Sequence, residues 1–339
     1  MSRENNENEK SAWIWTVVRL SVVAVIFFFL FKSGYLNPAQ LKDALNNPFS
    51  FLVGLFFVFM SCALSVERWR KLLQAQDISV PYLDAFNLTF IGIYFSTVIP
   101  GAVSGDIIKA YYVVRGRGKK PEAIMTIFLD RILGLYTMVC VAGVVILTAW
   151  ATSMSVVQTA LLNDFRIRAV ALSIGVIFVT MTMTFAIVSS AKFRTYRLTQ
   201  WILEHVPFKE TVRMLYDVFY IYRQHPRESL QAVFYSFIAQ VPLYAGLFMM
   251  TRTVNTGSFS IGAGLFIFPV GLMVNAIPIL PGGWGQGEAG FEWLFGLFHS
   301  SLGAEVAFLF HISTIILAVG IGGGIYLFSK KHYTIKDNN

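Results

Sequence analysis

Six stretches of this chain, residues 13–31, 49–66, 124–150, 169–190, 230–250 and 304–328, consist almost wholly of apolar side chains. A helix of about 20 such residues crosses a bilayer core of roughly 30 Å, so each run predicts a membrane span. Composition agrees: 55% of the residues are hydrophobic and 14% are charged, where a soluble domain averages about 25% charged. A soluble globule is therefore excluded. The two cysteines, Cys62 and Cys140, both lie in apolar runs, so neither a disulfide framework nor a cysteine-based metal site is expected. The polar segment 1–11 leads into the first run without a small-residue cleavage pattern, and that run is expected to remain as an anchor.

Two further apolar stretches are broken. Residues 83–112 are interrupted at Pro100-Gly101, and residues 259–298 at Pro281-Gly282-Gly283. Charge placement decides how they run. With the N-terminus in the cytoplasm, twenty of the 27 Lys and Arg residues fall on the inner face, the asymmetry that sets membrane orientation. Five fall outside, and Arg19 and Arg131 lie within spans. The bias holds only if 83–112 enters and leaves on the cytoplasmic side and 259–298 on the outer side. Both then read as re-entrant hairpins. The net charge of +8 is thus an orientation code and an inner-leaflet contact, with no stacking-aromatic module to suggest nucleic acid.

The hairpins expose an internal symmetry. Residues 49–150 and 229–328 share the plan of span, broken hairpin, span in opposite orientation, and an offset of 181 superposes Pro100-Gly101 on Pro281-Gly282. Non-helical backbone at membrane depth needs protein or a water-filled cavity around it. Paired breaks in two halves are the sequence mark of a transporter site near the midplane. The alternative, that each Pro-Gly only kinks a long helix, would invert every later segment against the charge bias. The expected fold is all-α and polytopic: six spans plus two re-entrant broken-helix hairpins in an inverted repeat. Residues 191–228 form a basic amphipathic linker on the inner leaflet.

The charges left inside apolar segments are the candidate site. Asp106 follows the first break at the start of an expected half-helix 106–112, where it is either a cap or a group that orients Lys109 toward a lipid phosphate bound at the helix N-terminus. Asp130 and Arg131 sit within a span, where a charge costs roughly 2.5–3.5 kcal/mol. Each is read either as half of a buried ion pair or as a headgroup contact, with Arg131 directed at Asp106 or a phosphate. Glu288 begins the half-helix 288–298, with Glu292 one turn on; the pair reads as capping or as titrating carboxylates of a gate. Gly101, Gly105, Gly282, Gly283, Gly285 and Gly287 mark the breaks and permit close backbone approach. Arg68, Arg70 and Lys71 read as orientation determinants, with a headgroup contact as the alternative for Arg68, and the five histidines lack ligand spacing. No catalytic triad, metal or cofactor is expected.

Three strings carry a family resemblance: Phe95-Ser-Thr-Val-Ile-Pro-Gly-Ala-Val-Ser-Gly-Asp-Ile-Ile-Lys109, Phe128-Leu-Asp-Arg-Ile-Leu-Gly134 and Pro281-Gly-Gly-Trp-Gly-Gln-Gly-Glu288. With them the chain, from about residue 17 to 328, resembles the transmembrane region of lysylphosphatidylglycerol synthase, the flippase-like part of the multiple peptide resistance factor. The resemblance implies transport without the synthase, because the longest hydrophilic stretch, 191–228, has 38 residues. It implies a membrane phospholipid, an aminoacylated phospholipid or a polyprenyl-phosphate lipid as substrate in the plasma membrane. A membrane enzyme and a scaffold for a lipid-modifying partner enzyme stay open beside it, as does a homo-oligomer.

Overall fold

The computed structural model describes residues 47–98, 104–114, 120–152, 155–189, 221–254, 259–277 and 279–328, together with Ser21, Phe28 and Lys32. Among these residues there are eleven α-helices and no strand. They are α1 (Pro48–Gln74), α2 (Tyr82–Val98), α3 (Ser104–Val114), α4 (Lys120–Thr152), α5 (Ser155–Asn163), α6 (Phe165–Ser189), α7 (Pro226–Val254), α8 (Ile261–Ala276), α9 (Gln286–Gly296), α10 (Gly303–Leu317) and α11 (Gly324–Phe328). A 3-10 turn (Pro281–Gly283) precedes α9, and a π-helical segment (Ala318–Gly323) joins α10 to α11.

Five stretches are long and apolar enough to cross a membrane: Pro48–Gln74, Ala123–Ala151, Phe165–Ile187, Pro226–Val254 and Gly303–Phe328. They match five of the six expected spans. The first, 13–31, lies outside the described residues apart from Ser21 and Phe28, as does most of the linker 191–228. The boundary that differs most is the end of α1. The run expected to stop at Val66 continues as helix to Gln74, because Val66, Trp69, Leu72 and Leu73 recur at helical spacing and are all buried. Arg68, Arg70 and Lys71 therefore belong to α1 instead of following it.

Contacts group the chain into two compact units, one of Met1–Phe59, Phe90–Ile108 and Tyr244–Asn339, the other of Met60–Thr89 and Lys109–Leu243. Each draws on both halves of the expected repeat. In the first unit, α3 folds back on α2: the Ser104 hydroxyl donates to the Phe95 carbonyl at 3.3 Å, and a Cβ at Gly105 would run into the Gly92 carbonyl and the Ser96 hydroxyl. Pro100 and Gly101, between them, lie outside the described residues. Likewise α9 folds back on α8, with Gly271 under the Phe291 ring and Gly290 against Val274. Gly54 of α1 and Gly246 of α7 meet backbone to backbone, a Cβ at Gly246 falling 3.0 Å from the Gly54 carbonyl.

The second unit is held by α1, α4 and α7 around Leu72, Ala75, Met125, Leu129, Tyr222 and Ala232. Helix α6 leans on α4 through Tyr136, which stacks on Phe178 and hydrogen-bonds Thr182 at 3.2 Å. The rest of α6 exposes Leu172, Val176, Val179 and Met183, an apolar face suited to lipid contact.

Candidate functional site

In the second unit the polar cluster forms where α1 passes α4. Arg68 donates through Nε to Asp130 Oδ1 at 2.7 Å, with only 11% and 14% of the two side chains exposed. Gly134 lies one turn beyond Asp130 and makes room for the guanidinium, since a Cβ there would stand 3.2 Å from Arg68 Nη1. Lys109 of α3 is buried, its ammonium 3.5 Å above the Trp69 ring, a cation-π contact of the kind that gains strength when desolvated. The Trp69 indole N–H in turn donates to Thr126 Oγ1 at 3.2 Å. Arg68, Lys109 and Arg131 all bear electrostatically on Asp130. Arg131 itself is exposed. Nearby, Glu67 takes Arg70 in a two-pronged pair at 2.8 and 2.6 Å.

The partner of Asp130 is thus Arg68, a residue that charge counting assigns first to orientation. Its signal in the sequence is its position beside Trp69 on a helix that keeps its apolar spacing past Val66.

In the first unit the site grows out of the glycine turn. Gly282, Gly283 and Gly285 have φ of 63°, 78° and 79°, the left-handed region that glycine enters at low cost. These dihedrals bring the chain round so that α9 starts at Gln286; α3 starts at Ser104. Both helices begin two residues ahead of the expected starts, so Asp106 and Glu288 each occupy the third position. Asp106 is half-buried there.

Glu288 is fully buried and acts at both oxygens. Oε2 accepts the Gly285 N–H at 2.7 Å, which caps α9. Oε1 lies 2.8 Å from His311 Nδ1, and His311 Nε2 lies 2.9 Å from Asn275 Oδ1. Trp284 stacks on the imidazole, centroids 4.6 Å apart. Gln286 braces the turn, donating to the Val274 carbonyl at 3.0 Å and the Ile277 carbonyl at 2.6 Å while accepting the Leu280 N–H at 3.0 Å. Gly287 is needed for the close approach, because a Cβ there would sit 2.6 Å from Asn275 Oδ1.

Glu292 faces elsewhere. Its Oε2 accepts the Ala304 N–H at 3.1 Å and caps α10. Sequence reading missed His311 and Asn275, since a lone histidine in a span has no ligand spacing to mark it. It also passed over Glu305, buried in the first turn of α10. Among the described residues no group of three or more His, Cys, Asp or Glu is placed to hold a metal.

Residues 16–322 match the family described as lysylphosphatidylglycerol synthase TM region. Among curated proteins, the UPF0104 membrane protein PH1989 of Pyrococcus horikoshii is 22% identical over 329 residues, which cover 91% of this chain and 95% of the relative. No solved structure matches the chain.

Proposed function

The chain belongs to the lysylphosphatidylglycerol synthase transmembrane-region family, and on that premise we propose that this multi-pass membrane protein translocates a phosphate-bearing lipid across the bilayer. The substrate is an anionic or aminoacylated phospholipid or a polyprenyl-phosphate lipid. One observation carries the reading. Arg68 spends only Nε on Asp130, at 2.7 Å, and so offers its outer nitrogens to a second oxygen anion, with Lys109 acting on the same carboxylate.

Charges in apolar spans are costly and mark substrate paths, and a guanidinium fork matches two phosphate oxygens at once. Asp130 holds Arg68 in place while the headgroup is absent and keeps the fork from binding so tightly that the lipid could not leave. In this scheme the acyl chains stay in the membrane beside exposed helix faces such as that of α6. Both termini are cytoplasmic, and the α2–α3 and α8–α9 pairs are re-entrant hairpins from opposite faces, related as an inverted repeat. The positive-inside bias and the folding back of α3 on α2 and α9 on α8 support that arrangement.

Native mass spectrometry of the detergent-purified protein tests the headgroup site. At least one of phosphatidylglycerol, aminoacylated phosphatidylglycerol and a polyprenyl phosphate should be retained in preference to phosphatidylcholine, and the Arg68→Gln/Asp130→Asn double variant should lose that preference. Retention of all three no better than phosphatidylcholine by the unaltered protein contradicts the assignment.

A further inference from the structure

Residues 253–329 contain no Lys or Arg, yet they carry Glu288, Glu292 and Glu305, and all three are buried. Glu292 and Glu305 lie at the N-terminus of α10, whose unpaired N–H groups and partial positive charge suit a carboxylate. Glu288 has a different partner, His311. Its Oε2 has the start of α9; for Oε1, which faces the ring, the charge that can compensate it within this segment is a proton on the imidazole.

The ring geometry points the same way. Both imidazole nitrogens of His311 face oxygen: the Glu288 carboxylate at 2.8 Å and the Asn275 amide oxygen at 2.9 Å. A neutral imidazole has one N–H and one lone pair. It can donate to one of these oxygens and must set a lone pair against the other, whereas an imidazolium donates to both. We propose that Glu288, His311 and Asn275 form a proton-binding site in the second hairpin, which holds one exchangeable proton on the ring. That this proton gates lipid movement rests on the translocator reading; the site itself does not.

Release has a defined structural consequence. The proton leaves Nε2 for solvent, the remaining N–H stays on Nδ1 toward Glu288, and the bare Nε2 is left against the Asn275 oxygen. The amide must then turn. Asn275 is wedged against Gly283 and Gly287, so its rotation is felt at the break of the hairpin. The ionisable groups that surround the ring are few. Glu288 is the ionisable group in contact with it; Glu292 of α9 and Glu305 lie at the start of α10, and α8 and the turn bring none. Among the other described ionisable residues of this unit, Tyr244 is buried, Tyr94, Asp106 and Tyr326 are half-buried, and Lys32, Arg252 and His299 are exposed.

The test reads the ring directly, by nitrogen NMR of histidine-labelled protein in phosphatidylcholine nanodiscs, with His311→Gln to assign the signal. As the pH is raised, His311 should pass from a doubly to a singly protonated ring. Asn275→Asp, which puts a second carboxylate on Nε2, should keep the doubly protonated form to higher pH. One neutral tautomer throughout, as when the Asn275 amide donates to Nε2, would overturn the proposal. An unshifted Asn275→Asp variant would do the same. Because no lipid need move in this measurement, its failure is distinct from a failure of translocation.

Discussion

Asp130 illustrates what a single residue can disclose. A carboxylate in an apolar run demands a partner on physical grounds, and that much is legible in the chain. The identity of the partner is not, because Arg68 lies 62 positions away and the positive-inside rule already explains an arginine at a helix end. His311 was hidden for the opposite reason: one imidazole among apolar residues has no spacing to give it away. Removing one member of a buried pair leaves an unmatched charge, which costs about 3–5 kcal/mol in fully buried cases. With the side chains here 11% and 14% exposed, Arg68→Gln and Asp130→Asn should each destabilise by about 2–3 kcal/mol. The double variant should lose clearly less than the sum, as read by denaturation in detergent; additive losses would deny the coupling. Outside the spans, Asp164 accepts hydrogen bonds from the Arg166 guanidinium and backbone N–H, which hold its carboxyl below the usual carboxylate range. A depressed carboxyl stabilises the fold above its unfolded pKa, and the contribution fades as pH falls through the folded value. Asp164→Asn should therefore flatten the acid limb of a melting-temperature profile.

At the scale of the element, spans are the most legible feature, because a run of apolar residues admits few readings. Their ends are less so. Helix α1 outlasts its purely apolar stretch because only every third or fourth residue has to be buried, and α9 starts two residues early because the glycine turn, not the acid, begins the helix. Close packing is written in glycines whose meaning the sequence alone does not reveal. Gly105→Ala places a Cβ on the Gly92 carbonyl and should break the α2–α3 pair, seen as a large loss of folded yield. Gly143, on α4, has nothing within 4 Å of its would-be Cβ; Gly143→Ala should raise stability by up to about 1 kcal/mol, the usual helix gain over glycine. Equal behaviour of the two variants would show that the α2–α3 contact does not constrain the fold.

For the whole molecule, the family was recognisable from three short motifs, whereas the headgroup was not, since many lipids share a phosphate and related folds serve different substrates. Orientation follows from loop charge and is open to direct test. Single cysteines at Ser79 and Lys119 should react with an impermeant reagent from the cytoplasmic face only, and labelling of either from outside would remove the re-entrant hairpin. The central claim, movement of a phosphate-bearing lipid past Arg68 and Lys109, is tested most directly in proteoliposomes that report headgroup-tagged lipid crossing the bilayer. The account predicts faster crossing than in empty liposomes for at least one of phosphatidylglycerol, aminoacylated phosphatidylglycerol and a polyprenyl phosphate, a loss of that gain in Arg68→Gln/Asp130→Asn, and no loss in Gly143→Ala. Rates indistinguishable from empty liposomes for all three lipids would contradict it.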